Sequence, residues 1–187
     1  EAVSYLTTAT FTAAVTRLNS KYWNEGGKYR WLYMSYVIDQ LKRLKVRQSR
    51  LCEAGASGMP LSSESFTMDY PKYDLNITPF SIITGISACE NELAIEITRR
   101  HISSKYFDAF IALQVWEHLD EQAEAFREVM RISKYAILSF PYKWPRGKGH
   151  DRRHVGIDDR IISRWTCGVR PIDKKLIHHR MVMTWKF

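Results

Sequence analysis

Cysteine is scarce in this 187-residue sequence: Cys52, Cys89 and Cys167 are odd in number and scattered. That argues against a disulfide framework and predicts reduced thiols in a cytoplasmic protein. Long apolar runs are missing too. The longest, 107–113 and 135–140, are strand-sized and fall short of the roughly 18 residues of a membrane span, so no membrane partner is expected. The N-terminal stretch EAVSYLTTATFTAAV lacks a basic region followed by a long apolar core, so it does not read as a secretory signal. No internal repeat and no low-complexity tract is present. The glycine fingerprint G-x-G-x-x-G is absent, which speaks against a dehydrogenase.

Acidic residues are lacking in one place. Residues 143–187 hold 12 Lys/Arg against 4 Asp/Glu, whereas residues 1–142 hold 16 of each, so the net charge of +8 belongs to the last quarter. Elsewhere the composition is that of an ordinary globular protein, 45% hydrophobic and 26% charged. The length suits one domain with a proper core. It divides into an N-terminal helical segment over 1–45, a central core over 46–142 and a basic segment over 143–187.

The periodicity then names elements. Met34, Val37, Ile38, Leu41 and Leu44 recur at spacings of three and four, the mark of one helix face. Residues 50–55 read as a short buried strand entering a glycine turn, and 65–68 as a second strand. Residues 91–101 look helical, with Leu93, Ala94 and Ile97 on one side. FDAFIAL (107–113) and YAILSF (135–140) are near-continuous apolar strands, as expected when both faces are covered. Between them Asp120 is expected to cap a helix with Ala123, Phe126, Val129 and Met130 as its apolar stripe. Strand, helix, strand at this spacing is a βαβ unit with a parallel sheet. A short helix over 158–165 and strands at 174–177 and 181–187 complete the order. The expected fold class is α/β: a Rossmann-like doubly wound, mostly parallel sheet with helices on both faces and a C-terminal antiparallel strand pair. Ligands of such sheets bind beyond the carboxyl ends of the strands, here 53–58 and 114–118.

Two segments stand at those ends. In Leu51-Cys-Glu-Ala-Gly-Ala-Ser-Gly-Met-Pro, small residues let backbone approach a ligand, and Glu53 can accept hydrogen bonds from it; a plain tight turn is the other reading. In FDAFIALQVWEHL (107–119), Gln114, Glu117 and His118 crowd the end of an apolar strand. They serve either a ligand or the next helix, with Trp116 in the core.

Together these segments resemble the class I S-adenosylmethionine-dependent methyltransferases. That family carries an E/D-x-G-x-G-x-G loop after its first strand and a later block FD-x-(apolar)-x-E-V-x-E-H-(apolar). Here the loop stands as Glu53-Ala-Gly55-Ala-Ser57-Gly58-Met59 and the block as Phe107-Asp108 … Leu113-Gln114-Val115-Trp116-Glu117-His118-Leu119. The helix EQAEAFREVMR (121–131) and SFPY (139–142) follow in the family's order. The resemblance implies S-adenosyl-L-methionine as cofactor, with Glu53, Gly55, Ala56, Ser57 and Gly58 against its methionine part and Leu113 and Gln114 near the sulfonium. An acid after the second strand would hold the ribose. Asp69 and Asp74 both qualify: only ten residues separate Gly58 from Asp69, while Asp74 lies 19 after Gly55. Ser57 and Met59 stand where the family has glycine.

The basic segment follows the strand ending in SFPY, where this family places a substrate-contacting loop. Tyr142, Trp144 and Arg153 beside Gly and His residues suit an anionic or sugar-like small molecule. The same charge suits RNA phosphates, although no known nucleic-acid module is present. A loosely similar run, 154–171, is found in bacterial methyltransferases of glycan and small-molecule biosynthesis. His150, Asp151 and His154 invite a zinc reading, but no third or fourth ligand lies at motif spacing, so no metal is expected. The expected reaction is methyl transfer to a small-molecule acceptor, an in-line displacement in which alignment does most. His154, His150 and His118 are the candidate bases, since imidazole exchanges protons near neutral pH. An RNA methyltransferase and a non-catalytic methyltransferase-like module are the alternatives.

Overall fold

Residues whose side chains alternate between two covered faces set the sheet. The computed structural model describes residues 27–54, 66–68, 102–144 and 152–187. Their elements run α1 (Gly27–Arg43), β1 (Leu51–Ala54), β2 (Phe66–Met68), β3 (Phe107–Leu113), α2 (Gln122–Ile132), β4 (Ser133–Pro141), α3 (Asp159–Trp165), β5 (Asp173–Ile177) and β6 (Arg180–Lys186), with short 3-10 turns at Gln48–Arg50, Trp116–His118 and Arg152–His154. The expected helix over 91–101 lies outside the described residues.

The sheet order is β2-β1-β3-β4-β6-β5. β2, β1, β3 and β4 pair in parallel, and β6 runs antiparallel to both β4 and β5. The chain leaves β1 toward β2 on one side and returns as β3 on the other. The switch point of the topology is therefore between β1 and β3, at their carboxyl ends.

Strand side chains alternate with period two, and each half finds a different cover. Leu51, Ala109, Ile111, Ile137 and Val182 pack under α1 through Tyr33, Val37, Ile38 and Leu41. Cys52, Phe110, Ala112, Ala136, Leu138, Phe140, Met183 and Trp185 face the opposite way, onto Phe126, Val129 and Ile132 of α2 and Ile162 of α3. The helices thus cover both faces, as the apolar runs require. Burial and the neighbouring Glu53 charge push the Cys52 thiol far above its usual range, so it behaves as a small apolar side chain.

Two local expectations change. Asp120 does not cap α2: Glu121 occupies the N-cap without a side-chain bond, and Gln122 Nε2 reaches back to the Leu119 carbonyl at 2.5 Å. The turn at Trp116–His118 closes at Leu119, and the helix starts one position later than the sequence placed it. β4 begins two residues earlier than its apolar run and includes Pro141, which pairs with Arg180 at the end of the ladder, where a missing N–H is tolerated. Met34 and Leu44 sit at the margin of the α1 cluster, half-buried. Asp158 does cap α3, accepting from the Ile161 amide at 2.9 Å.

At the outer end of the described order, β5 exposes Lys174, Lys175 and Leu176. It is tied to α1 by Asp173, which accepts from Tyr36 and Gln40, and burial together with that bond pushes the Tyr36 phenol up to about 12. No helix among the described residues is long and apolar enough to cross a membrane.

Candidate functional site

Glu53 stands at the carboxyl end of β1 and is 4% exposed. A carboxylate there is not a core residue by chemistry, since burying it costs several kcal/mol unless charges or donors compensate. The adjacent strand β3 ends at Leu113, half-buried, and turns at Gln114, which takes a left-handed φ of 58°. That conformation is unfavourable for a residue with a Cβ, and Ser139 at the end of β4 holds it. Gln114 donates its amide to the Ser139 carbonyl at 3.2 Å and to Oγ at 3.0 Å, and its Nε2 donates to the same Oγ at 3.0 Å. The two strand ends are thus locked together beside Glu53, whose residue position pairs with Ile111.

Beyond Gln114 the chain enters the Trp116–His118 turn. Trp116 is 1% exposed, edge-on to Phe110 and Phe126, so it is core. Its anchoring fixes the next two residues. Glu117 does not cap α2; its side chain is fully buried, with Oε1 3.8 Å from His118 Nε2 and 3.6 Å from His154 Nε2. The two imidazole nitrogens are 3.4 Å apart. His154 comes from 36 residues downstream. Val155, next in sequence, bridges to Trp144, whose ring centroid is 5.9 Å from that of His154. The Arg180 guanidinium lies 5.4 Å from the Trp144 ring centroid.

Of the candidate residues, the structure brings His118 and His154 together and sets Trp144 beside them. Tyr142 is buried, and its hydroxyl donates to Asp159 at 2.8 Å. Burial and that bond push the phenol up to about 12. Arg153 is exposed. Gly55, Ala56, Ser57, Gly58, Asp69, Asp74 and His150 lie outside the described residues. Glu117 is the residue that sequence reasoning left between two roles. Its signal was a carboxylate followed by His at a strand end, but its partner His154 is too distant in sequence for any motif.

The acid of the FD pair plays a different part. Asp108 starts β3, at the end of the strand remote from Gln114. Burial opposes its charge, but hydrogen bonds from the Arg47 and Lys134 side chains and the Arg47 amide outweigh that and hold it at about 2.

No known family model and no curated protein matches this sequence. Solved structures do match by fold. The 16S rRNA methylase RmtB aligns over 98% of this chain and 76% of its own, with a TM-score of 0.52 and 15% identity. A putative type 11 methyltransferase from Sulfolobus solfataricus aligns over 75% of this chain and 84% of its own, with a TM-score of 0.50 and 14% identity. Strand order, the parallel core, the antiparallel C-terminal pair and these alignments agree: the fold of this chain is that of the class I methyltransferases.

Proposed function

We propose that this chain transfers a methyl group from S-adenosyl-L-methionine to an anionic acceptor, a small metabolite or saccharide. The observation that carries this reading is the pairing of a buried acid, Glu53, at the switch point with a second polar cluster, Glu117–His118–His154, beyond the neighbouring strand. One end suits the cation and amine of the cofactor; the other suits an acceptor bearing a proton to be lost.

The residues present fit the cofactor. Glu53 supplies a buried acceptor for its ammonium group, and the Ser139-locked turn of Leu113 and Gln114 supplies a fixed wall. Gly55, Ala56, Ser57 and Gly58 would complete the loop, and Asp69 or Asp74 would hold the ribose. When bound, S-adenosylmethionine supplies a methyl group on a sulfonium centre. The chain's own residues then do two things. Leu113 and Gln114 fix the approach, and His154 or His118 accepts the acceptor's proton, with His150 and Arg153 on the same segment and Trp144 beside them.

Calorimetry with S-adenosylhomocysteine tests the reading: micromolar binding that Glu53→Ala abolishes supports it, and no binding overturns it. A second reading, an RNA acceptor, rests on the exposed Lys143, Arg153, Arg160, Arg164, Arg170, Lys174 and Lys175. The likeness to an rRNA methylase fold bears on it only as a fold. Retention on RNA that falls steeply with salt would favour it.

A further inference from the structure

The atoms that face one another in the Glu117–His118–His154 cluster are two imidazole nitrogens and one carboxylate oxygen, all within 4.8 Å of each other. Their separations of 3.4, 3.6 and 3.8 Å are long for hydrogen bonds. They match another kind of contact. A triangle with these edges has its centre about 2.1 Å from every corner, and zinc bonds to imidazole nitrogen and carboxylate oxygen measure roughly 2.0–2.2 Å.

The surroundings agree with that reading. The Glu117 side chain is fully buried, and a buried carboxylate is tolerated where positive charge compensates it. His118 and His154 are 17% and 24% exposed at the side chain, so an ion has a way in. Both turns that carry the ligands are pinned, one by the buried Trp116 and the other by the Trp144–Val155 bridge. A donor set fixed before an ion arrives loses less ordering entropy on binding.

We propose that Glu117, His118 and His154 form a binding site for a divalent transition-metal ion of the zinc type. Two nitrogens and one oxygen suit zinc and its neighbours, whereas magnesium and calcium take oxygen ligands. Three protein ligands leave a coordination position open, the arrangement of catalytic rather than structural sites. An oxygen of the acceptor is its natural occupant, since a coordinated hydroxyl loses its proton more readily; with the ion bound, His118 and His154 are ligands in place of bases, and the proton passes to solvent water. That last step rests on the proposed methyl transfer; the binding of the ion does not.

The test uses the full chain, free of tags and stripped with chelator. Cobalt(II) is added and its visible absorption followed, with zinc as competitor. One equivalent of cobalt is expected to give a band that zinc displaces. His154→Ala, His118→Ala and Glu117→Gln should each weaken binding by about 100-fold or more, and His178→Ala should leave it unchanged. Melting temperature and S-adenosylhomocysteine affinity, measured in chelator, report whether each variant is folded and whether the cofactor reading holds independently. X-ray absorption of the zinc-loaded unaltered protein needs no variant, and should show nitrogen and oxygen neighbours without sulfur. No cobalt band at millimolar metal, a band that persists in folded His154→Ala, or sulfur in the zinc shell would each overturn the site.

Discussion

Arg47 grips Asp108 with two guanidinium nitrogens, Nε to Oδ2 at 2.5 Å and NH2 to Oδ1 at 2.7 Å, across 61 residues of sequence. Lys134 adds a third contact at 2.9 Å. The bidentate geometry is the stronger kind of ion pair, and it joins the loop after α1 to the starts of β3 and β4.

The carboxyl is held at about 2 when folded, against about 3.9 in an unfolded chain. The folded value is the lower one, so the stabilisation is complete above pH 4 and is lost as pH falls from 4 toward 2. Acid titration of the melting temperature should show that loss, worth about 2 kcal/mol, and Asp108→Asn should flatten it. S-adenosylhomocysteine affinity at pH 7 should stay within about twofold of normal, because the pair stands at the far end of the strand.

Gln114 tests the proposed cofactor wall. Gln114→Ala keeps the left-handed φ and loses the Nε2 bond to Ser139 Oγ, while Gln114→Gly loses the same side-chain bond but relaxes the backbone; the amide bonds to Ser139 stay in both. The glycine variant should be the more stable by about 1 kcal/mol, read by denaturant titration. Both should bind S-adenosylhomocysteine several-fold more weakly than the unaltered chain. Equal stability of the two variants would count against a strained turn.

His154→Ala should lower turnover by about 100-fold or more once an acceptor is in hand, with cofactor affinity unchanged. Unaltered turnover would remove His154 from the acceptor side.

Tyr142 gives the contrasting case. With its hydroxyl spent on Asp159 and its ionisation pushed up to about 12, Tyr142→Phe should cost about 1 kcal/mol of stability. An altered acceptor KM would show a role in binding as well.

Much of the fold was legible because its signals are local. The apolar runs at 107–113 and 135–140 announced strands covered on both faces, and Asp158 announced the start of α3 through its own side chain. Asp120 misled for the same reason: a good cap residue is a local signal, and the N-cap falls one residue later, at Glu121. The position of Glu53, Leu113 and Gln114 at strand ends was legible. The contacts that close through space were not. His154 was weighed with its sequence neighbours His150 and Asp151, yet its partners are Glu117 and His118, and only the sheet order and the Trp144–Val155 bridge bring them within reach. Arg47 on Asp108 is hidden in the same way.

The lysines of β5 have a second consequence, for how copies of this chain meet. An outer strand offers backbone groups to any other strand that comes alongside, and cations set along it discourage that addition. Lys174 and Lys175 are consecutive in β5, flanked in sequence by Asp173 and the exposed Leu176. Successive residues of a strand face opposite ways, so a second edge approaching β5 would meet a cation on each face, Lys174 beside Asp159 and Lys175 over the Tyr36 ring. The basic charge of the last quarter thus also works against the sheet growing into its neighbour.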